Sequence, residues 1–171
     1  VSADDPDNLA MNLLMQILVE GDSSRLHQML VEEEQLAISV SGFLYEGFDP
    51  GLAYFYLTLP PDGDLALTEQ RLFEELQRVA TEGVTDSELA KARNITLVSF
   101  WEEMATINGK AGALGNAAVF RGSFERVFDI PQEIEAVTVG DLRAVAERFL
   151  YRNNATIGIL RAPAQPGEVE E

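Results

Sequence analysis

Gly21–Tyr45 reads GDSSRLHQMLVEEEQLAISVSGFLY. Gly21 ends one helix, and Asp22 or Ser23 starts the next. Leu26, Met29 and Leu30 recur at the spacing of a helix inner face. Glu32-Glu33-Glu34 forms an acidic elbow, and Ile38–Tyr45 then alternates as a half-buried strand does. Ile38, Val40 and Leu44 point one way; Ser39, Ser41, Phe43 and Tyr45 point the other. Gly42 within that run marks a bulge or a close contact. Gly47–Gly51 (GFDPG) is a turn by composition, and Leu52–Leu59 (LAYFYLTL) is a second strand. The segment therefore predicts helix, elbow and antiparallel hairpin.

The flanks supply helices. Asp5-Pro6 is a helix start, followed by Leu9, Leu13, Leu14, Ile17 and Leu18 on one face. Pro60-Pro61 stops the second strand. Leu72, Phe73, Leu76, Val79 and Ala80 line a helix, and Thr85 with Glu88 fits a capping box for the next. That helix runs to about Ala105, with Leu89, Ala92, Ile95, Thr96, Val98 and Ser99 as its packed face and a break at Ile107-Asn108-Gly109. Ile130-Pro131 starts a short helix. Thr138 with Asp141 caps another, whose inner face is Leu142, Val145, Ala146, Phe149 and Leu150. Ala155–Leu160 reads as a third strand. The order ααββαααααβ predicts an α+β fold with an antiparallel sheet packed against several helices. Three strands are few for a sheet, so further strands are expected upstream of Val1. Val1 in place of an initiator methionine, and the polar VSADDPDN start, fit the middle of a longer polypeptide.

The chain has 171 residues, no cysteine, and a formal charge of −17 from 12 Lys+Arg against 29 Asp+Glu. Disulfides, thiolate metal sites and cysteine nucleophiles are excluded. Phosphate backbones and anionic membrane surfaces are repelled, which leaves solubility, or attraction of basic peptides or a basic partner, as the use of the charge. No run approaches the roughly 20 apolar residues of a membrane span.

Four segments in order resemble the insulinase/pitrilysin-type zinc peptidases. Gly21–Leu26 resembles the family's glycine turn and "SSRL" helix start. Glu34-Gln35-Leu36-Ala37 and the serine-containing strand after it resemble the step "GLAYSVS". Glu82–Leu89 (EGVTDSEL) resembles "EGVTEEEL", and Ile134–Leu150 resembles the closing "VT..D...VA..YL" segment. Asn154–Leu160 resembles the last strand. The family's zinc domain carries H-x-x-E-H, in which two imidazoles on one helix hold the metal and the glutamate acts as base. This sequence has a single histidine, His27, and no such motif. The resemblance therefore implies the non-zinc half, with no cofactor in this chain and zinc in a partner domain. It also implies that such halves pair into a chamber around an extended peptide. In catalytically assisting members, an Arg and a Tyr seven residues apart bind substrate or stabilise an oxyanion. Aligned on Leu36-Ala37, those positions fall on Val31 and Ile38, neither of which donates a hydrogen bond. The assisting pair is degenerate.

The resemblance implies one insulinase-like domain over residues 1–162, a tail at 163–171, and a periplasmic or cell-envelope location. Its partners are a zinc-bearing homologous domain or subunit and an extended peptide. The alternatives on the same fold are a non-enzymatic assembly subunit and a peptide-binding module using a free strand edge. Other candidate sites are weaker. His27 lacks a second imidazole. Glu32-Glu33-Glu34 diverge as consecutive residues must. Asp62-Gly63-Asp64 lacks the remaining ligands of a calcium loop. Glu102 and Glu103, next to Trp101, diverge by about 100° on a helix. Gly109, Gly112, Gly115 and Gly122 form no phosphate cradle. The serines have no usable histidine partner for a triad.

Overall fold

The computed structural model describes residues 1–161. The predicted boundary at 162 and the tail at 163–171 lie outside the described residues. The elements run α1 (Asn8–Val19), α2 (Arg25–His27, continued by a π-helical turn Gln28–Glu33), β1 (Ser39–Leu44), β2 (Ala53–Thr58), α3 (Leu65–Glu82), α4 (Asp86–Ala105), α5 (Ile107–Phe120), α6 (Ile130–Ala136) and α7 (Val139–Phe149). Short 3-10 turns follow α5 at Phe124–Phe128 and α7 at Arg152–Asn154. This is an α+β domain with helices packed on an antiparallel hairpin, as the sequence predicts.

α1 sits at the centre. Its sequence NLAMNLLMQILV carries no charge, and a helix apolar nearly all round has to be covered nearly all round. Leu13, Leu14 and Leu18 are fully buried, and Ala10, Met11, Met15, Ile17 and Val19 nearly so. β1, α2, α4 and α7 each pack against it. The helix begins at Asn8 rather than at Pro6, because the Asp5 carboxylate first accepts the Asp7 N–H at 2.8 Å and closes a turn ahead of it.

The hairpin register pairs Val40 with Leu57, Gly42 with Phe55 and Leu44 with Ala53 on the inner face. A side chain at Gly42 has no room. Its Cβ would lie 2.3 Å from the Tyr54 carbonyl oxygen, 3.2 Å from Val19 and 3.3 Å from Met15. Of the two roles expected of this glycine, close contact is the one realised. The caps are as predicted. Thr85 and Glu88 form a capping box on α4, and Thr138 and Asp141 form one on α7.

Three further expectations are corrected. Ala155–Leu160 is exposed and has no ladder partner among the described residues, so the described sheet has two strands rather than three. Alternating apolar residues specify a face, but a strand also needs a neighbour to bond. In α4 only Leu89 and Ala92 are buried; Ile95 and Val98 are exposed, because the distal half extends past the core. The helix break falls at Thr106, whose hydroxyl accepts the Gly109 N–H and starts α5. Gly109 fits there because a Cβ would meet the Glu103 carbonyl oxygen at 2.0 Å.

Gly42→Ala is expected to destabilise the domain by about 1–3 kcal/mol, the usual cost of overpacking. Urea unfolding monitored by circular dichroism measures it; an unchanged midpoint would mean that the hairpin does not press on α1.

Candidate functional site

The π-helical turn Gln28–Glu33 carries the chain from α2 towards β1. The Leu30 carbonyl accepts two N–H groups, from Leu36 at 2.8 Å and Ala37 at 3.0 Å. Gln35 takes φ +53° between them, the left-handed region that non-glycine residues enter at a cost. This is the position at which the resembled step "GLAYSVS" has its glycine.

Val31 lies on the π turn and packs, half-buried, against the core. Ile38 extends the hairpin by one residue, its N–H donating to the Thr58 carbonyl at 2.7 Å, while its side chain stays 59% exposed. Ile38 shares the parity of Val40 and Leu44, as expected, but at the end of the hairpin it is left uncovered rather than buried; both side chains are hydrocarbon. The positions can shape a surface; they cannot polarise a carbonyl.

His27 Nε2 stands 3.4 Å from a Glu32 carboxylate oxygen. Among the described residues no three His, Asp or Glu side chains gather as a ligand set. A zinc site needs three or four convergent donors, so the residues present do not fit the metal that the resemblance implies for the other half. Glu34 pairs with Arg71 at 3.1 Å, and Asp64 accepts the Leu67 N–H as the cap of α3. These charged residues therefore have structural work. Glu102, Glu103 and Trp101 are exposed on the distal part of α4, where the Trp101 ring meets Phe100 edge-on at 5.0 Å. An open groove of about 730 Å³ runs along the outer face of α3 between Glu69, Phe73, Gln77, Glu82 and Arg152. Arg152 lies over the Phe73 ring at 5.0 Å and pairs with Glu69.

The main polar junction is Arg25, whose side-chain role the sequence did not reveal. Its guanidinium holds Glu88 with two bonds, Nε to Oε1 at 2.5 Å and Nη2 to Oε2 at 2.8 Å. Its third nitrogen reaches Glu75 at 3.2 Å. Glu75 is 2% exposed and also pairs with Arg78, so its burial is compensated by two cations. Glu88 accepts the Thr85 N–H and hydroxyl as well. The Arg25 bond, reinforced by the Thr85 bonds and opposed by partial burial, lowers the Glu88 pKa to about 2. One arginine thus ties α2 to α3 and α4. The available signal was an arginine at a helix start, but its partners are 50 and 63 residues away.

The family model described as "Peptidase M16 inactive domain" matches residues 1–96. An uncharacterized zinc protease of Mycobacterium leprae is 30% identical over 143 residues, 84% of this chain and 32% of that protein. One from Streptomyces coelicolor is 31% identical over 147 residues, 84% of this chain and 31% of that protein. The chain spans about a third of the length of these curated relatives. The solved inactive peptidase domain from Bordetella parapertussis superposes with a TM-score of 0.85 at 28% identity, covering 99% of this chain and 90% of that one. A chain of complex III from Candida albicans shares the fold alone, at a TM-score of 0.70 and 15% identity over 86% of this chain and 37% of that one.

Two outcomes test the junction. The folded pKa of Glu88 lies below its ordinary 4.5, so its contribution is present above that value and is lost as pH falls towards about 2. Glu88→Gln should cost about 2 kcal/mol at neutral pH, from the cap and the charge-assisted bonds together. It should also flatten stability against pH between those two values, read by thermal unfolding across the acid range. Gln35→Gly should raise stability by about 0.5–1 kcal/mol, as the relief of left-handed strain exceeds the added freedom of the unfolded chain. A lower unfolding midpoint would contradict it.

Proposed function

The chain belongs to the Peptidase M16 inactive-domain family, and on that premise we propose that it forms the catalytically silent wall of a two-part zinc peptidase. A homologous domain or subunit with H-x-x-E-H supplies the metal and the base. This half closes over an extended peptide and helps to select it. The reading rests on the chemistry at the two positions where assisting relatives place donors. Val31 and Ile38 offer surface and no proton. The lack of a convergent ligand set among the described residues supports the same division of labour.

A non-enzymatic assembly subunit is the second reading, supported at the level of fold by the likeness to the complex III chain. The two differ in partner, and co-purification separates them.

Alone, the chain should leave peptides uncut. Added to the zinc-bearing half, it should accelerate hydrolysis. In that assembly Val31→Arg with Ile38→Tyr should raise kcat/KM by about tenfold or more, because a single oxyanion donor is worth roughly 100- to 1000-fold where it is well placed. Stoichiometric zinc held by the isolated chain, with hydrolysis that stops on chelation, would overturn the reading.

A further inference from the structure

The outward face of the hairpin carries an ordered apolar surface. Phe43 and Tyr54 are register partners and stack at 4.9 Å between ring centroids. Tyr56 stacks at 6.1 Å from each of them. Tyr45, whose N–H donates to the Leu52 carbonyl at 2.9 Å, continues the face towards the turn. Phe43, Tyr45 and Tyr56 remain 49%, 62% and 52% exposed. A contiguous aromatic surface left in water marks a contact site. Both outer edges of the hairpin are without a ladder partner among the described residues, and such edges readily pair with an extended chain.

Charge identifies what covers it. The span between Arg25 and Arg71 contains eight Asp and Glu and no Lys or Arg, and the whole hairpin lies inside it. Glu46 and Asp49 stand exposed at its turn, and Glu32 and Glu33 are exposed on the segment leading into β1. The N-terminal residues are tied to the turn by Ala3 N–H to Gly47 carbonyl and Gly51 N–H to Val1 carbonyl, both 2.9 Å, and they add Asp4 nearby. A second copy would bring the same acidic rim and the same net −17 against itself. Carboxylates and aromatic ring faces both attract ammonium and guanidinium groups.

We propose that this face docks an extended peptide rich in Lys and Arg. Apolar side chains and alkyl stems lie on Phe43, Tyr54 and Tyr56, and the cationic heads reach the ring faces and the acidic ends of the hairpin. The inference rests on the peptide-enclosing reading above and names the peptide chemistry and the surface.

The full chain is titrated with a short labelled peptide alternating Arg and Leu, and with its Glu-for-Arg counterpart. The cationic peptide should bind, more weakly as salt rises, and the acidic one should not. Phe43→Ser with Tyr56→Ser should weaken binding by about tenfold, the combined loss of stacking and cation–π contact. Glu46→Lys with Asp49→Lys should weaken it several-fold. Ile107→Ser, at the far end of α5 from the Phe48–Phe120 contact, should leave it unchanged. Circular dichroism and urea midpoints establish that each variant is folded. Binding that survives the aromatic double variant, ignores peptide charge, or is absent for the wild-type chain overturns the proposal. So does a dimer in sedimentation that the aromatic variant abolishes. Acceleration of the zinc-bearing half by the chain is measured separately; if it persists while the peptide preference fails, only the docking surface is wrong.

Discussion

α1 can exist only inside something. Twelve uncharged residues, nine of them buried, leave only the narrow Asn12–Gln16 stripe suited to water. A buried leucine is worth about 1.5–3 kcal/mol, so Leu13, Leu14 and Leu18 alone make exposure of this helix prohibitive. Each neighbouring element is placed by the side of α1 that it covers. β1 approaches closely because Gly42 has no side chain to hold it off. α7 brings Leu142, Val145 and Ala146 to the core, and α4 brings Leu89 and Ala92. Where α1 ends, the reason for burial ends with it, and the distal half of α4 and most of α5 extend into solvent.

A core built round one helix leaves the order of the outer elements to be fixed by other means, and Arg25 does this. Its three nitrogens meet carboxylates on two different helices. Arg78 on the same helix stays with the buried Glu75 in any packing, and this arrangement adds the second cation, Arg25, from α2. The hydrophobic core supplies the drive to collapse, and this junction favours one placement of α2 against α3 and α4.

Legibility followed range. The capping boxes at Thr85 and Thr138 are contained in four residues each, and they were readable. So was the hairpin, whose turn and alternation are local. The all-round burial of α1 was underread as a single face, although the absence of any charge from Asn8 to Val19 carried the information. Ala155–Leu160 has the alternation of a strand but no partner among the described residues, and a partner is not a local property. The Arg25 junction spans up to 63 residues and left no pattern along the chain. For the candidate site, spacing showed what could not occur: one histidine cannot make a two-imidazole motif. The positions of Val31 and Ile38 came from the resemblance, and the π turn that presents Val31 has no sequence signature of its own.

That turn also says what the segment supplies. Gln35 holds a left-handed backbone without being glycine, and the Leu30 carbonyl gathers two N–H groups to keep the bend closed. A chain free to relax would abandon such a conformation. It persists because the bend delivers Ala37 and Val40 to the core and sets the strand whose other face carries the aromatic ladder. Val31 and Ile38, on either side of this bend, carry no hydrogen-bond donor. What this step contributes is therefore the position of a surface.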